Sequence, residues 1–284
     1  MQSKTISSNS LEFMMIVSDE GIAQYISKFE NVSLFVDLET LGKEQRQGHL
    51  DTVRSSLNID DVLRIRRAAP QANIIVRINP LNSATENEIN SVIKNGANSI
   101  MLPMFHTIDD INKLIKIINN RATAIPLFET VSSIKNLPEI ISKIPLQQLH
   151  IGLNDLHIEH NMNFLFEPLA NGFLEEACHY LKLSRIKYGI GGIAALGQGL
   201  LGPEYILGEH VRLGSSVVIL SRAFHKNSTN LDELKKVMNF SSEIRKLIKI
   251  YENFQMASVE QIENNRKETW KLIKILSERL KNDK

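Results

Sequence analysis

Short apolar runs alternate along the chain with longer amphipathic stretches. Runs such as LFVDLE (34–39), IIVRI (74–78) and IMLPM (100–104) are almost continuously apolar. This pattern is typical of strands that are buried on both faces. We therefore predict eight strands, at residues 13–17, 33–39, 73–79, 99–104, 122–129, 149–153, 188–193 and 211–220.

Helical periodicity fills the segments between these runs. The predicted helices cover residues 21–29, 60–68, 84–95, 108–119, 134–142 and 173–183. Asn58 and Thr107 stand where helix N-caps are expected, and Gly96 stands where a helix should end. Strands that alternate with helices predict a parallel sheet, and eight such units favour a closed (β/α)8 TIM barrel over a doubly wound open sheet. We assign residues 11–225 to this α/β barrel.

The remaining residues, 226–284, are predicted to form a C-terminal helical extension with helices at 231–251 and 259–281. The second helix has an amphipathic stripe, formed by Ile262, Trp270, Ile273 and Leu280 near one side. Two uses of this stripe remain open. It packs on the barrel of its own chain and completes it, or it forms a subunit interface.

The composition argues against several classes of protein, including nucleic-acid-binding and membrane-spanning proteins. The chain has 284 residues, with 33 basic against 32 acidic side chains and a net charge of +1, so it lacks the positive surplus typical of nucleic-acid or anionic-membrane binding. The segment GIGGIAALGQGLLG (189–202) is shorter than the roughly 20 apolar residues of a membrane span. Cys178 is the single cysteine, which excludes an internal disulfide and favours a reducing compartment. We expect a cytoplasmic protein with no nucleic-acid or membrane partner.

Charged residues end several of the predicted strands. In barrels of this kind the reactive groups lie at the carboxyl ends of the strands. Glu129 ends strand five and Asp155 follows strand six, so the two carboxylates should be neighbours at the barrel mouth. Adjacent carboxylates repel each other unless a cation lies between them, and hard oxygen ligands suit Mg²⁺ or Mn²⁺.

Arg77 lies within the apolar run IIVRINP (74–80), so its guanidinium should be buried and in need of an anion. Two partners are open at this point. Arg77 pairs with a carboxylate at the barrel rim, or it clamps the carboxylate of a substrate through two parallel hydrogen bonds.

Six segments, taken in order, resemble the HpcH/HpaI aldolase and citrate lyase β-subunit family. They cover most of residues 33–221, and the segment around Glu129 followed by IGxxDL is the most specific part of the match. The matching segments are FVDLE (35–39), VRINP (76–80), GANSIMLPM (96–104), FETVSSIKNLPEI (128–140), IGLNDL (151–156) and RLGSS (212–216).

The resemblance implies an aldolase or carbon–carbon lyase that depends on a divalent metal. Its substrate would be a small molecule with a pyruvate- or oxaloacetate-like 2-oxo acid unit, cleaved or extended through a metal-stabilised enolate. Glu129 and Asp155 would be the metal ligands, and Arg77 would bind the substrate carboxylate. Asp37 and Glu39 would be catalytic acidic residues of the strand-two loop. Mg²⁺, or Mn²⁺ in its place, would be the cofactor.

Two further residues and the assembly follow from the same resemblance. Pro103 and Gly152 would lie against the substrate. In the family the terminal helices commonly exchange between subunits, so we expect a homo-oligomer.

The sequence departs from the family pattern at the proton-transfer group. Thr40 stands where the aldolases usually carry a histidine, and Leu127 stands where they tend to carry a glutamine. His49, in GKEQRQGHLD (42–51), is the nearest histidine that could serve as the catalytic base. A solvent-exposed loop histidine is the alternative interpretation of His49.

Three other hypotheses compete with this one. GIGG (189–192) and LGSS (213–216) are similar to the phosphate cradle of many barrels, which would indicate an enzyme for a phosphorylated metabolite. The barrel could instead be a non-catalytic binding scaffold. His150, His157 and His160 suggest a zinc cluster, but His150 is expected to point away from Asp155, and such spacings are common by chance.

Overall fold

Eight parallel strands close into a barrel in the order of the sequence. The computed structural model describes residues 10–43 and 57–282, so His49 lies outside the described residues. The strands are β1 (Glu12–Ile16), β2 (Val32–Asp37), β3 (Ile74–Arg77), β4 (Ser99–Leu102), β5 (Thr123–Phe128), β6 (Gln148–Ile151), β7 (Lys187–Ile193) and β8 (Val217–Leu220). The predicted TIM barrel is confirmed.

Helices follow the strands and surround the barrel. They are α1 (Glu20–Ile26), α2 (Ile59–Ala68), α3 (Thr85–Lys94), α4 (Ile108–Ile118), α5 (Val131–Lys143), α6 (Leu153–Glu159), α7 (Glu167–Ala170), α8 (Glu175–Ser184), α9 (Pro203–Leu213), a 3-10 turn (Arg222–His225), α10 (Leu231–Val237), α11 (Phe240–Gln255) and α12 (Val259–Asn282). Across residues 10–43 and 57–282, no helix is both long and apolar enough to cross a membrane.

Local capping explains where several helices begin. Asn58, Thr107 and Thr130 each accept a hydrogen bond from a backbone N–H of the first turn, and each forms a reciprocal capping box. Thr130 directly follows Glu129, so the start of α5 is fixed one residue beyond the predicted metal ligand. The strand-to-helix junction that carries Glu129 is therefore well defined.

Two apolar layers make the core. Alternate residues of each strand point inward or outward, which divides the buried side chains between the barrel interior and the space under the helices. The outer layer contains the larger cluster. The interior is filled by a smaller set, namely Met14, Phe35, Ile75, Met101, Ile125, Leu127 and Val217.

Strand eight is shorter than predicted, and this corrects the phosphate-cradle hypothesis. Residues 211–213 form the last turn of α9, which ends at Gly214 with a φ of 88°. Ser215 and Ser216 follow and are buried below the start of β8, where Tyr251 Oη donates to the Ser215 carbonyl at 2.9 Å. The LGSS segment thus lies at the amino end of the barrel, opposite the mouth, because the left-handed glycine ends the helix before the strand begins. It cannot form a cradle with residues beyond β7.

The C-terminal extension packs on its own barrel. The predicted helix 231–251 is divided into α10 and α11, because Asn239 caps a new helix by accepting from the Ser242 N–H. On α12, Asn265 Nδ2 donates to the Tyr205 carbonyl at 3.1 Å, and Ile273 is fully buried. Packing within one chain is therefore present, and a subunit contact stays a prediction.

Candidate active site

A cavity of about 240 Å³ opens among the carboxyl ends of the strands. Leucine, isoleucine and glycine residues form much of its wall. Six charged side chains also line it, namely Asp37, Lys43, Arg77, Glu129, Asp155 and Arg222. Residues at the carboxyl ends of β2, β3, β5 and β8 therefore converge with Asp155 on one cavity.

The structure brings Glu129 and Asp155 to the same cavity. Glu129 directly follows β5, and Asp155 lies in the first turn of α6, just after β6, which is the neighbouring strand. Glu129 is 3% exposed and Asp155 is 6% exposed. Burial raises the pKa of Glu129 well above its usual value, and the charges of Asp155 and Glu39 raise it further. Two carboxylates that repel each other thus share this part of the site.

The backbone of Met104 helps to hold Glu129. Its N–H donates to Glu129 Oε1 at 3.0 Å, from a residue whose φ is 50°. A non-glycine residue in the left-handed region is uncommon, and such strain is frequent at functional sites. Pro103, predicted to contact the substrate, is buried just before Met104 and is not one of the residues that line the cavity.

Gly152 lines the cavity and allows the close approach of Glu129. A Cβ at residue 152 would lie 2.9 Å from both Cβ and Oε2 of Glu129. Only glycine leaves this space, so residue 152 sets the position of the carboxylate.

We expect Gly152→Ala to weaken divalent-metal binding by about 10- to 100-fold, the usual effect of disturbing the support of a ligand. The added methyl group must displace the Glu129 side chain from its present position. Mn²⁺ titration followed by electron paramagnetic resonance measures this loss.

Gly172→Ala is the matched control for this variant. Gly172 has a φ of 91° and no atom within 4 Å of an added Cβ, so alanine strains the backbone there without contacting Glu129. Its Mn²⁺ affinity should equal that of the parent. Equal affinities for the parent and Gly152→Ala would contradict the assigned role of Gly152.

Asp37, Glu39, Lys43 and Arg77 form one ion-pair network. Arg77 lies opposite Asp37 in the β2–β3 register and donates to its two oxygens at 2.9 and 2.8 Å. Arg77 Nη1 is 3.3 Å from Glu39 Oε2, and Lys43 Nζ donates to Asp37 Oδ2 at 3.2 Å. Burial would raise the pKa of Asp37, but Arg77 and Lys43 outweigh it and lower that pKa well below its usual value.

Of the two partners left open for Arg77, the rim carboxylate is therefore present. Its clamp on a substrate carboxylate stays a prediction, as do the catalytic roles of Asp37 and Glu39. Because Asp37 is held ionised, its position favours orienting Arg77 over accepting a proton at neutral pH.

Sequence reasoning missed the cationic cavity residues Lys43 and Arg222 and did not expect His150 in the cavity. Arg222 could have been found, because it comes two residues after β8 and strand ends carry the chemistry of barrels. Lys43 lies four residues after Glu39 and is 3.6 Å from its carboxylate. His150 lines the same cavity as Asp155, so the expectation that it points away was wrong.

The histidines do not form the zinc cluster considered above. Burial lowers the pKa of His150 to about 4, and its Nε2 is 3.0 Å from the Gly191 carbonyl. Within the described ranges, no group of three or more His, Cys, Asp or Glu side chains is arranged to hold a metal ion.

The pair Glu129 and Asp155 nevertheless fits a divalent cation of the Mg²⁺ type. Mg²⁺ keeps several waters and is usually bound through one or two carboxylates together with substrate oxygens, so it does not need a cage of protein ligands. The negative charges of Asp155 and Glu39 add to burial in raising the pKa of Glu129, so positive charge beside Glu129 would favour its ionised form. A divalent cation would supply that charge.

A protein-family model supports the resemblance found in the motifs. The model described as HpcH/HpaI aldolase/citrate lyase matches residues 51–163, which include Arg77, Glu129 and Asp155. The resemblance is thereby confirmed, and the aldolase and lyase type of the family supports an enzyme. No protein of curated function matches the sequence.

Solved structures of similar fold come from the same family. An HpcH/HpaI aldolase/citrate lyase family protein from Burkholderia cenocepacia J2315 is 12% identical, with a TM-score of 0.60 over 85% of this chain and 96% of that one. The HpcH/HpaI aldolase from Desulfitobacterium hafniense DCB-2 is 12% identical, with a TM-score of 0.58 over 85% and 93%. The citrate lyase beta subunit from M. tuberculosis, complexed with oxaloacetate and magnesium, is 13% identical, with a TM-score of 0.56 over 85% and 97%. At these identities the likeness shows the fold.

Proposed function

We propose that this chain, which matches the HpcH/HpaI aldolase/citrate lyase family over residues 51–163, is a carbon–carbon lyase or aldolase that depends on a divalent metal. Its substrate carries a pyruvate- or oxaloacetate-like 2-oxo acid unit. One observation carries the proposal: Glu129 and Asp155, both buried, share a cavity at the mouth of the barrel with three cationic side chains.

The carboxylate pair would hold Mg²⁺ or Mn²⁺. Such a cation acts as a Lewis acid and stabilises the negative charge that develops beside a carbonyl when the neighbouring carbon–carbon bond breaks. Met104 and Gly152 keep Glu129 in position for this task, through a hydrogen bond and through the absence of a side chain.

The cationic side chains would bind the substrate carboxylate. Arg77 faces the cavity with its guanidinium fixed by Asp37 and Glu39, and Arg222 enters from the end of β8. Apolar residues, among them Leu127, Leu165 and Ile219, line much of the remaining wall. Charge interactions are stronger between buried side chains than between side chains in water.

The M. tuberculosis citrate lyase beta subunit, whose structure contains oxaloacetate and magnesium, supports this substrate class and this metal. The identity of 13% leaves the particular 2-oxo acid to experiment. Loop side chains at the mouth, which differ among barrels of one fold, select that substrate.

Exchange of the pyruvate methyl protons with solvent deuterium tests the function. We expect the protein with Mg²⁺ or Mn²⁺ to catalyse this exchange, followed by proton NMR, and EDTA to stop it. Absence of exchange with either metal, together with absence of cleavage of any 2-oxo acid tried, would contradict the proposal and favour a non-catalytic scaffold.

The proton-transfer group is proposed to be His49. A positioned general base contributes about 10²- to 10⁴-fold in rate, so His49→Ala should lower turnover by about that factor and leave metal affinity unchanged. Steady-state kinetics and Mn²⁺ titration measure the two quantities. If His49→Ala runs at the parent rate while Glu39→Gln does not, the acidic residue after β2 takes this role.

A further inference from the structure

His150 is an inward-facing residue of β6 that lies across from Gly189 of β7. A Cβ at residue 189 would lie 2.2 Å from His150 Nδ1 and 2.6 Å from its Cε1. The imidazole therefore occupies the volume that any side chain at residue 189 would need. His150 is fully buried, and its ring forms part of the wall of the site cavity.

The ring fixes an irregularity in the neighbouring strand. Between two paired positions on β8, Val217 and Ile219, β7 contains one extra residue, because Gly189 pairs with the first and Gly192 with the second. Such a bulge re-aims the backbone locally. Gly191 within it has a φ of 53°, and its carbonyl lies 3.0 Å from His150 Nε2. Since a carbonyl only accepts, Nε2 carries the proton and the neutral ring donates to the bulge.

The bulge in turn supports the helix that carries Asp155. A Cβ at residue 191 would lie 2.7 Å from Leu153 Cδ1, so the Leu153 side chain packs directly on the backbone of Gly191. Leu153 is the first residue of α6 and is 2% exposed. Asp155 lies two residues further on, in the same helical turn.

We propose that His150 is a positioning residue for Asp155. Its Nε2–H holds the Gly191 carbonyl, the bulge so formed is the surface on which Leu153 packs, and Leu153 sets where α6 begins. The importance of this arrangement for metal binding rests on the proposed function. The contacts from His150 to α6 exist without a metal. The glycines of GIGG (189–192) thus provide room for His150 and Leu153, a use different from phosphate binding.

The first test is hydrogen exchange of the metal-free protein, followed by mass spectrometry on peptides from β7 and α6. His150→Leu removes the donor and keeps an apolar side chain, and we expect about tenfold faster exchange in α6, near the value of one lost hydrogen bond. His150→Gln places an amide donor near the former Nε2 and should restore most of the protection.

His210→Leu is the matched control. His210 is also fully buried, and burial lowers its pKa to about 3, but it lies on α9 and its Nδ1 contacts Ser215 Oγ at 3.0 Å. A general loss of stability would affect His210→Leu and His150→Leu alike. Equal exchange in α6 for these two variants, or unchanged exchange for His150→Leu, would overturn the proposal.

A second variant tests the contact between Gly191 and Leu153 directly, in case His150→Leu does not fold. Gly191→Ala leaves His150 intact but forces the new Cβ against Leu153. It should also speed exchange in α6, and protection equal to the parent would count against the proposal.

Mn²⁺ affinity separates this proposal from the proposed function. If the parent binds Mn²⁺, His150→Leu should bind it about 10- to 100-fold more weakly, His150→Gln nearly as well as the parent, and His210→Leu equally well. If the parent binds no Mn²⁺, the metal-dependent function fails, while the exchange result still decides whether His150 positions α6.

Discussion

Replacing Glu129 with glutamine is expected to abolish metal binding and to lower turnover by at least about 10³-fold. The amide keeps the shape of the side chain and removes the charge that a divalent cation requires. The same variant should make the metal-free protein more stable at neutral pH, by about 1 to 2 kcal/mol.

The sign of this stability change follows from the pKa of Glu129, which the fold raises above its usual value of 4.5. A carboxyl group whose pKa rises on folding favours the folded state below its unfolded pKa. That contribution is lost as the pH rises through the folded pKa. At neutral pH the ionisation of Glu129 beside Asp155 therefore lowers the stability of the folded state. Glutamine does not ionise, so it lacks this unfavourable contribution.

Two experiments measure the effects of Glu129→Gln. Thermal unfolding of the metal-free protein gives the change in stability, and Mn²⁺ titration gives the loss of metal binding. Glu88→Gln is the matched control, because Glu88 is also a buried carboxylate but bonds Asn79 away from the cavity. It should leave Mn²⁺ binding unchanged. A Glu129→Gln protein that binds Mn²⁺ like the parent, or that unfolds at a lower temperature without metal, would contradict this account of the pair.

Replacing Arg77 with leucine is expected to destabilise the fold by about 3 to 5 kcal/mol at neutral pH. Removal of one partner of a buried ion pair leaves an uncompensated charge. Asp37 and Glu39 would keep only Lys43 as a partner among the residues of this network. Turnover should fall as well, because the proposed site for the substrate carboxylate is lost.

The pH dependence of the free energy of unfolding shows whether the lost ion pair with Asp37 destabilises Arg77→Leu. In the parent, the lowered pKa of Asp37 means that its contribution to stability is present above about pH 4 and is lost as the pH falls. Without Arg77 that contribution is removed, so the difference between variant and parent should shrink toward acid pH. Urea unfolding at pH 7 and at about pH 2 measures this difference.

Arg77→Lys is the companion variant, since it keeps the charge and loses the two-oxygen contact with Asp37. It should be destabilised less than Arg77→Leu. Two results would show that the ion-pair network does not stabilise the fold as proposed. The free energy of unfolding of Arg77→Leu could fall by less than about 1 kcal/mol at pH 7, or its difference from the parent could grow toward acid pH.

The barrel could be predicted because its strands are unusual in sequence. Parallel strands buried on both faces give nearly continuous apolar runs, and the rule for strand ends led to Glu129, Asp155 and Arg77. The end of strand eight was predicted at the right residue, but its start was not. Apolar residues stand both before and after Gly214, Ser215 and Ser216 in the segment 211–220. Periodicity alone does not separate the last turn of a helix from a strand there.

His150 shows why part of the site could not be predicted. In a strand with apolar residues on both faces, the sequence does not tell which residues point into the barrel. The orientation of His150 could therefore not be predicted from the apolar pattern. Its role depends on the extra residue in β7 and on the contact between Gly191 and Leu153. These are contacts between segments far apart in the chain, and no local pattern encodes them.

Mn²⁺ titration followed by electron paramagnetic resonance shows whether Glu129 and Asp155 hold a divalent cation at the mouth of the barrel. We expect one Mn²⁺ bound per chain in the parent and loss of that binding in both Glu129→Gln and Asp155→Asn. Added pyruvate should change the spectrum of the bound ion in the parent. A parent that binds no Mn²⁺, or variants that bind it as tightly as the parent, would contradict this role of the two carboxylates.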